Sequence, residues 1–158
     1  MNLKNLIPRA GITRLIARLK RGGKKIVFTN GVFDILHRGH VEYLSKAKSF
    51  GDILIVGLNT DASVRRIKGG QRPIQKQNDR AAILLALQAV DYVVLFGEDT
   101  PEKLIRQVRP DVLVKGADYK ISDIVGSDFV RSYGGKVKRV KLTKGCSTSK
   151  LLTKLCRL

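Results

Sequence analysis

The chain holds two histidines, and both stand in His37-Arg38-Gly39-His40. The block follows a β-branched run, Lys24-Lys25-Ile26-Val27-Phe28-Thr29, and the turn residues Asn30-Gly31. It precedes a helical stretch in which Val41, Leu44 and Ala47 recur at three-residue steps. In the first turn of a helix, free backbone N–H groups and the helix dipole favour an anion. Gly39 lets the backbone come close to a ligand. Two imidazole donors beside such N–H groups make a phosphate site. A zinc centre would want more ligands, and Cys146 and Cys156 lie far along the chain without CxxC spacing. No GxxxxGK[ST] or GxGxxG follows the strand, so a P-loop and a dinucleotide fingerprint are excluded.

Three more segments carry residues that suit phosphate or nucleotide. Lys68-Gly69-Gly70-Gln71-Arg72-Pro73 is a loop by its Gly and Pro content, with two cations in it. Lys115-Gly116-Ala117-Asp118 follows an apolar run, Val112-Leu113-Val114. Gly145-Cys146-Ser147-Thr148-Ser149 opens the last helical stretch, where hydroxyls can cap the helix or hold an anion. A plain reading stands beside each: an exposed loop lysine, a turn and a helix cap.

The elements that must position these groups alternate strand and helix. Strands are expected at residues 24–29, 53–58, 92–96, 112–114 and 136–142. Helices are expected at 41–50, after Asn59-Thr60-Asp61, after Asn78-Asp79, from Thr100-Pro101 and over Ser147 to Leu155. Ile12, Leu15, Ile16 and Leu19 mark an additional helix near the N-terminus. The pattern predicts an α/β fold, a doubly wound parallel sheet of five strands. Ligands in such sheets bind outside the carboxyl ends of the strands, where strand order reverses. The histidine block, Lys115 to Asp118, and Gly145 to Ser149 all stand at such ends.

The chain has 158 residues, the size of one domain, and 43% hydrophobic residues, enough for a core. No apolar run approaches a membrane span or a secretory leader, so a cytoplasmic protein is expected. The formal charge is +18, with eight basic residues and no acid in residues 1–25 and nine and none in residues 129–158. Charge alone suggests a nucleic-acid module. Yet aromatics are only 6%, and no RRM, KH or zinc-finger pattern occurs, so no specific nucleic-acid partner is expected.

Gly31-x-Phe33-Asp34-x-x-His37-x-Gly39-His40 resembles the signature of the HxGH nucleotidyltransferases, the cytidylyltransferase-like superfamily. Four further blocks resemble its heptose 1-phosphate adenylyltransferase branch. They are Asn59 to Arg66, Glu98-Asp99-Thr100-Pro101, Val114 to Tyr119, and Gly145 to Ser149. The resemblance covers residues 24–157, with residues 1–23 as an N-terminal helical extension of one nucleotidyltransferase domain. It implies a Rossmann-like fold and attack by a sugar 1-phosphate on the α-phosphorus of ATP. It makes His37, His40 and Lys68 the catalytic residues. Asn30, Gly31, Val32, Phe33, Asp34, Gly39, Lys115, Gly116, Asp118, Gly145, Ser147, Thr148 and Ser149 would bind the nucleotide. Asp34 would help hold Mg²⁺ or else fix the turn, with Mg²⁺ mainly on the ATP phosphates. Arg80 matches an arginine often found at that place, and a salt bridge with Asp79 or Asp61 is an equal account of it. Relatives are commonly homodimers. One departure is Leu142, where glycerol-phosphate cytidylyltransferases carry an arginine; Lys144 could supply that charge. The departure argues against CTP and glycerol phosphate.

Overall fold

The computed structural model describes residues 4–118, 120–141, 143, 148, 152 and 153. Its sheet is parallel throughout and holds six strands, not the five expected. The additional strand is β1 (Leu6–Ile7), which pairs with β4 (Tyr92–Phe96) at one edge. Two residues are too short for any periodicity to show. The others are β2 (Ile26–Gly31), β3 (Ile53–Asn59), β5 (Val112–Gly116) and β6 (Lys136–Val140). The order across the sheet is β1-β4-β3-β2-β5-β6.

The reversal point therefore lies between β2 and β5. The registers show how a crevice opens there. The pairing of β2 with β3 runs from Ile26↔Ile53 to Gly31↔Leu58. The pairing of β2 with β5 covers only Val27↔Val112 and Phe28↔Leu113. Beyond Phe28 the two strands part, and their ends frame a space.

Among the described residues the helices that cover the sheet are α1 (Ile12–Arg21), α2 (Arg38–Lys48), α3 (Asp61–Lys68), α4 (Gln77–Leu85), α5 (Glu102–Val108) and α6 (Ser127–Ser132). Strand alternation sends Phe28, Ile55 and Leu113 to one face, against α1, α5 and α6. Val27, Leu54, Val56 and Val112 go to the other, against α2 and α4. On α1, Ile12, Leu15, Ile16 and Leu19 are buried as their spacing predicts, each contributing ~1.5–3 kcal/mol.

Several boundaries shift. Strand β2 starts two residues later than expected and reaches Gly31, because Lys24 and Lys25 stay exposed. Helix α2 starts at Arg38, so the histidine block belongs to the helix terminus itself. Thr60 caps α3 by accepting from the Ser63 N–H, as expected. Lys76, not Asn78-Asp79, is the cap residue of α4, and Pro101 is the cap residue of α5, one place before the position expected. Helix α6 was not anticipated. Of the helix expected over Ser147 to Leu155, Thr148, Leu152 and Thr153 are described and are helical. Among the described residues no helix is long and apolar enough to cross a membrane.

Candidate active site

Strand β2 delivers Asn30 and Gly31 to the crevice, and the chain then turns hard. Phe33 and Ile35 both take positive φ, 46° and 52°. A β-branched residue in that region is strained, so the surroundings must hold it. Gly31 lets the ring come close: a Cβ there would lie 3.0 Å from the Phe33 ring, which would have to shift.

Two buried charged groups hold the turn. The Asp34 carboxylate accepts from the N–H groups of Ile74 (2.9 Å) and Gln75 (3.0 Å) and pairs with Arg72 at 3.0 Å. Its first partners are thus groups of the chain itself. Arg80 is 1% exposed and spends every arm. It donates to the carbonyls of Val32 (2.6 Å), Asn59 (2.9 Å) and Gln75 (3.0 Å), and to the Asp61 carboxylate (2.7 Å). Of the two pairings open from sequence, Asp61 is the one observed. Arg80 so ties the β2 turn, the β3 end and the start of α3 into one unit.

His37 is the N-cap residue of α2, and its side chain makes no capping bond. No acidic side chain lies in the first turn, which leaves the terminus open to an anion. The His37 and His40 rings stack at 3.9 Å between centroids, 20° apart. Phe33 meets His40 edge-on at 5.4 Å. Burial lowers the pKa of His37 below its ordinary value. Burial, and then the charge of His37, lowers that of His40 to about 4. His40 is therefore neutral at pH 7 and offers one N–H. Nδ1 of each ring is buried without a hydrogen-bond partner.

Across the crevice, β5 ends in Lys115 and Gly116. Burial lowers the Lys115 pKa to about 8, with Asp118 opposing. The Tyr43 hydroxyl shares a hydrogen bond with the Thr29 hydroxyl (2.7 Å) and donates to the Val114 carbonyl (3.2 Å), bracing β2 against β5 from the α2 side. The Thr148 hydroxyl donates to the Asp34 carbonyl at 2.8 Å, and that of Thr143 to Glu42. These two bonds hold Thr143 against α2 and Thr148 against the β2 turn.

Both histidines, Phe33, Asp34, Arg72, Tyr43 and Lys115 line one cleft of about 560 Å³, with Arg80 behind it bracing the turn. It gathers every described residue expected at the site: His37, His40, Lys68, Asn30, Gly31, Val32, Phe33, Asp34, Gly39, Lys115, Gly116, Asp118 and Thr148. Gly145, Ser147 and Ser149 lie outside the described residues, as do Leu142 and Lys144. Lys68 is the last residue of α3, not a loop residue, and Gly69 (φ 92°) turns the chain after it. Sequence reasoning missed Tyr43, Asn59, Phe96 and the 123–125 segment, which also line the cleft. Asn59 and Phe96 close strands β3 and β4, so the strand-end rule could have found them.

Residues 28–153 match the cytidylyltransferase-like family model. The chain is 56% identical over 155 residues to the bifunctional protein HldE of Geobacter metallireducens, covering 98% of this chain and 31% of that protein. It is 54% identical over 152 residues to the bifunctional protein HldE of Wolinella succinogenes, covering 96% and 31%. It thus spans about a third of the length of these curated relatives. Among solved structures, the lipopolysaccharide core biosynthesis protein of Thermoplasma volcanium superposes with a TM-score of 0.64 at 35% identity, covering 78% of this chain and 100% of that one. The pantoate-beta-alanine ligase of Francisella tularensis superposes with a TM-score of 0.60 at 16% identity, covering 97% and 80%, and shares the fold alone.

Proposed function

The chain belongs to the cytidylyltransferase-like family, and from that premise we propose that it transfers AMP from ATP to D-glycero-β-D-manno-heptose 1-phosphate. A phosphate oxygen of the sugar phosphate attacks the α-phosphorus in line. The bond from that phosphorus to the bridging oxygen breaks, pyrophosphate leaves, and ADP-heptose forms. The attacking group is already an anion at neutral pH, so no side chain has to activate it. The protein's task is to position the two substrates and to stabilise charge growing on phosphate oxygens.

The histidine pair carries this reading: two stacked imidazoles at an open helix terminus, each with a buried nitrogen lacking a partner. His40 reaches the phosphates as a neutral N–H donor, because a ring titrating at about 4 holds no proton charge at pH 7. Lys115 supplies a cation from the facing strand, while Lys68 and Arg72 supply others from the far wall. Gly116 and Asp118, at the β5 end, take the nucleoside side of the crevice. Mg²⁺ would enter on the ATP phosphates and offset part of their charge. Asp34 is a poor ligand for it, since its carboxylate already serves two amides and Arg72. Asp34 fixes the turn instead.

The test is pyrophosphate release over a substrate panel. ATP with the heptose 1-phosphate should turn over, and CTP with glycerol 3-phosphate should not. His40→Ala should keep its thermal transition and lose about 10²–10³ in kcat, the usual effect of removing one such donor. The reverse substrate preference would overturn the assignment, and unimpaired turnover in His40→Ala would overturn the site.

A further inference from the structure

Among the described residues, four side-chain atoms are buried without a hydrogen-bond partner: Nδ1 of His37, Nδ1 of His40, Nε of Arg72 and Oδ1 of Asn30. All four residues line the cleft. Buried polar atoms are satisfied in the large majority of cases, so four orphans in one place mark bonds that a ligand completes.

Three of them suit phosphate. Imidazole and guanidinium nitrogens donate, and phosphate oxygens accept. Asn30 Oδ1 is different in kind. It only accepts, and an ionised phosphate has no proton to give. Its partner must be a hydroxyl or amine elsewhere on a substrate.

Its position says which substrate. Asn30 follows Thr29, whose hydroxyl meets Tyr43 on the α2 face. Alternation therefore sends Asn30 to the opposite face, the one Phe28 shares with α5. The histidines, which start α2, belong to the other side of the strand end. In register, Asn30 faces Gly57, which has no side chain to offer a donor. A Cβ at Gly57 would come within 3.1 Å of the Asn30 Cβ. Phe96, Pro101 and Ile124 line the cleft as well, together with Asp99, Thr100 and Asp123. On the proposed function the triphosphate takes the histidine side and the nucleoside the β5 end. What remains near Asn30 is the group attached to the attacking phosphate.

We propose that Asn30 reads the acceptor: its Oδ1 takes a hydrogen bond from a sugar hydroxyl, and so selects a hydroxylated phosphate ester over one lacking that hydroxyl. The proposal rests on the acceptor being a sugar phosphate. A wrong acceptor leaves the oxygen buried and unpaired, which lowers kcat/KM by about tenfold to hundredfold.

The experiment is a cycle between enzyme and substrate. Wild type, Asn30→Ala and Asn30→Asp are assayed with heptose 1-phosphate and its monodeoxy analogues, and separately with 2′- and 3′-deoxy-ATP. One deoxy sugar should lose about tenfold to hundredfold in kcat/KM with the wild type. Asn30→Ala should lose as much on the parent sugar and nothing further on that analogue. Asn30→Asp, which keeps the accepting oxygen, should still discriminate. The KM for ATP should stay within about twofold, because the proposal moves Asn30 from the nucleotide contact that its sequence block implies to the acceptor. Equal rates of the wild type on every deoxy sugar would overturn the proposal whether or not the variants fold. Coupling to a deoxy-ATP instead would also overturn it, by assigning Asn30 to the ribose. If heptose 1-phosphate itself is not turned over, the substrate reading fails separately. The same cycle is then read on the sugar or polyol phosphate that the panel identifies.

Discussion

Lys115 is a half-buried cation whose head group is largely desolvated, and such a cation should weaken the fold that holds it. Its pKa falls from 10.5 to about 8, with burial as the larger cause and Asp118 in partial opposition. That drop corresponds to about 3 kcal/mol. Because the folded value lies below the unfolded one, the unfolded chain binds more protons between pH 8 and pH 10.5. Wild-type stability should therefore rise with pH through that window, and below pH 8 the full penalty is present. Lys115→Met keeps the apolar stem and removes the charge. The variant should be more stable than wild type by about 2–3 kcal/mol at pH 7, raising Tm by about 5–10 °C for a chain of this size. The gain should shrink towards zero by pH 11. The same variant should bind ATP more weakly, since the cleft has lost a cation. Urea denaturation at pH 7 and above pH 10, together with pyrophosphate release, measures all three effects. A variant less stable than wild type at pH 7, or a gain that ignores pH, would refute the reasoning.

Kinetic pH dependence follows from the same groups. The kcat/KM for ATP should fall about tenfold per pH unit above pH 8, as Lys115 in the free enzyme loses its proton. It should show no inflection near 6.5 from His40, whose pKa is about 4; Lys115→Arg should remove the alkaline fall, and an inflection at 6.5 that His40→Gln abolishes would contradict the burial described. Asp34→Asn should destabilise by about 3–5 kcal/mol, because it leaves Arg72 unpaired beside a turn that has lost its anchor. A thermal melt within a degree of wild type would show that the turn stands without the carboxylate. Gly57→Ala should cost about 1–3 kcal/mol, since the new Cβ would sit 2.8 Å from Phe28 Cζ; chemical denaturation at neutral pH reads it directly.

The parts of the site legible in sequence are those whose signal is local. His37, Gly39 and His40 stand together at a strand-to-helix junction, and the chemistry of a helix N-terminus needs nothing more distant. Gly116 and Asp118 could be placed because an apolar run ends just before them. What stayed hidden depends on long-range partners. Asp34 pairs with Arg72 and with amides about forty residues away, so its carboxylate reads from sequence as an available ligand. Arg80 offered two carboxylates, and only the packing of α4 against the β3 end selects Asp61. Tyr43 sits on α2 like any core aromatic, and its hydroxyl acquires a role only where β2 and β5 come together. Strand β1 has two residues and no pattern of its own, and it exists because β4 presents an edge.

That edge pairing has a temporal consequence. Leu6 lies beside Val93 and Ile7 beside Val94, so β1 is made before the other strands of its sheet and its partner comes more than eighty residues later. It cannot pair until the chain through β4 has been made. The central strands, β2 with β3 and β3 with β4, have nearer partners and less loop entropy to overcome. The β1 edge should thus be among the last parts of the sheet to dock, although β1 precedes the other strands in the chain.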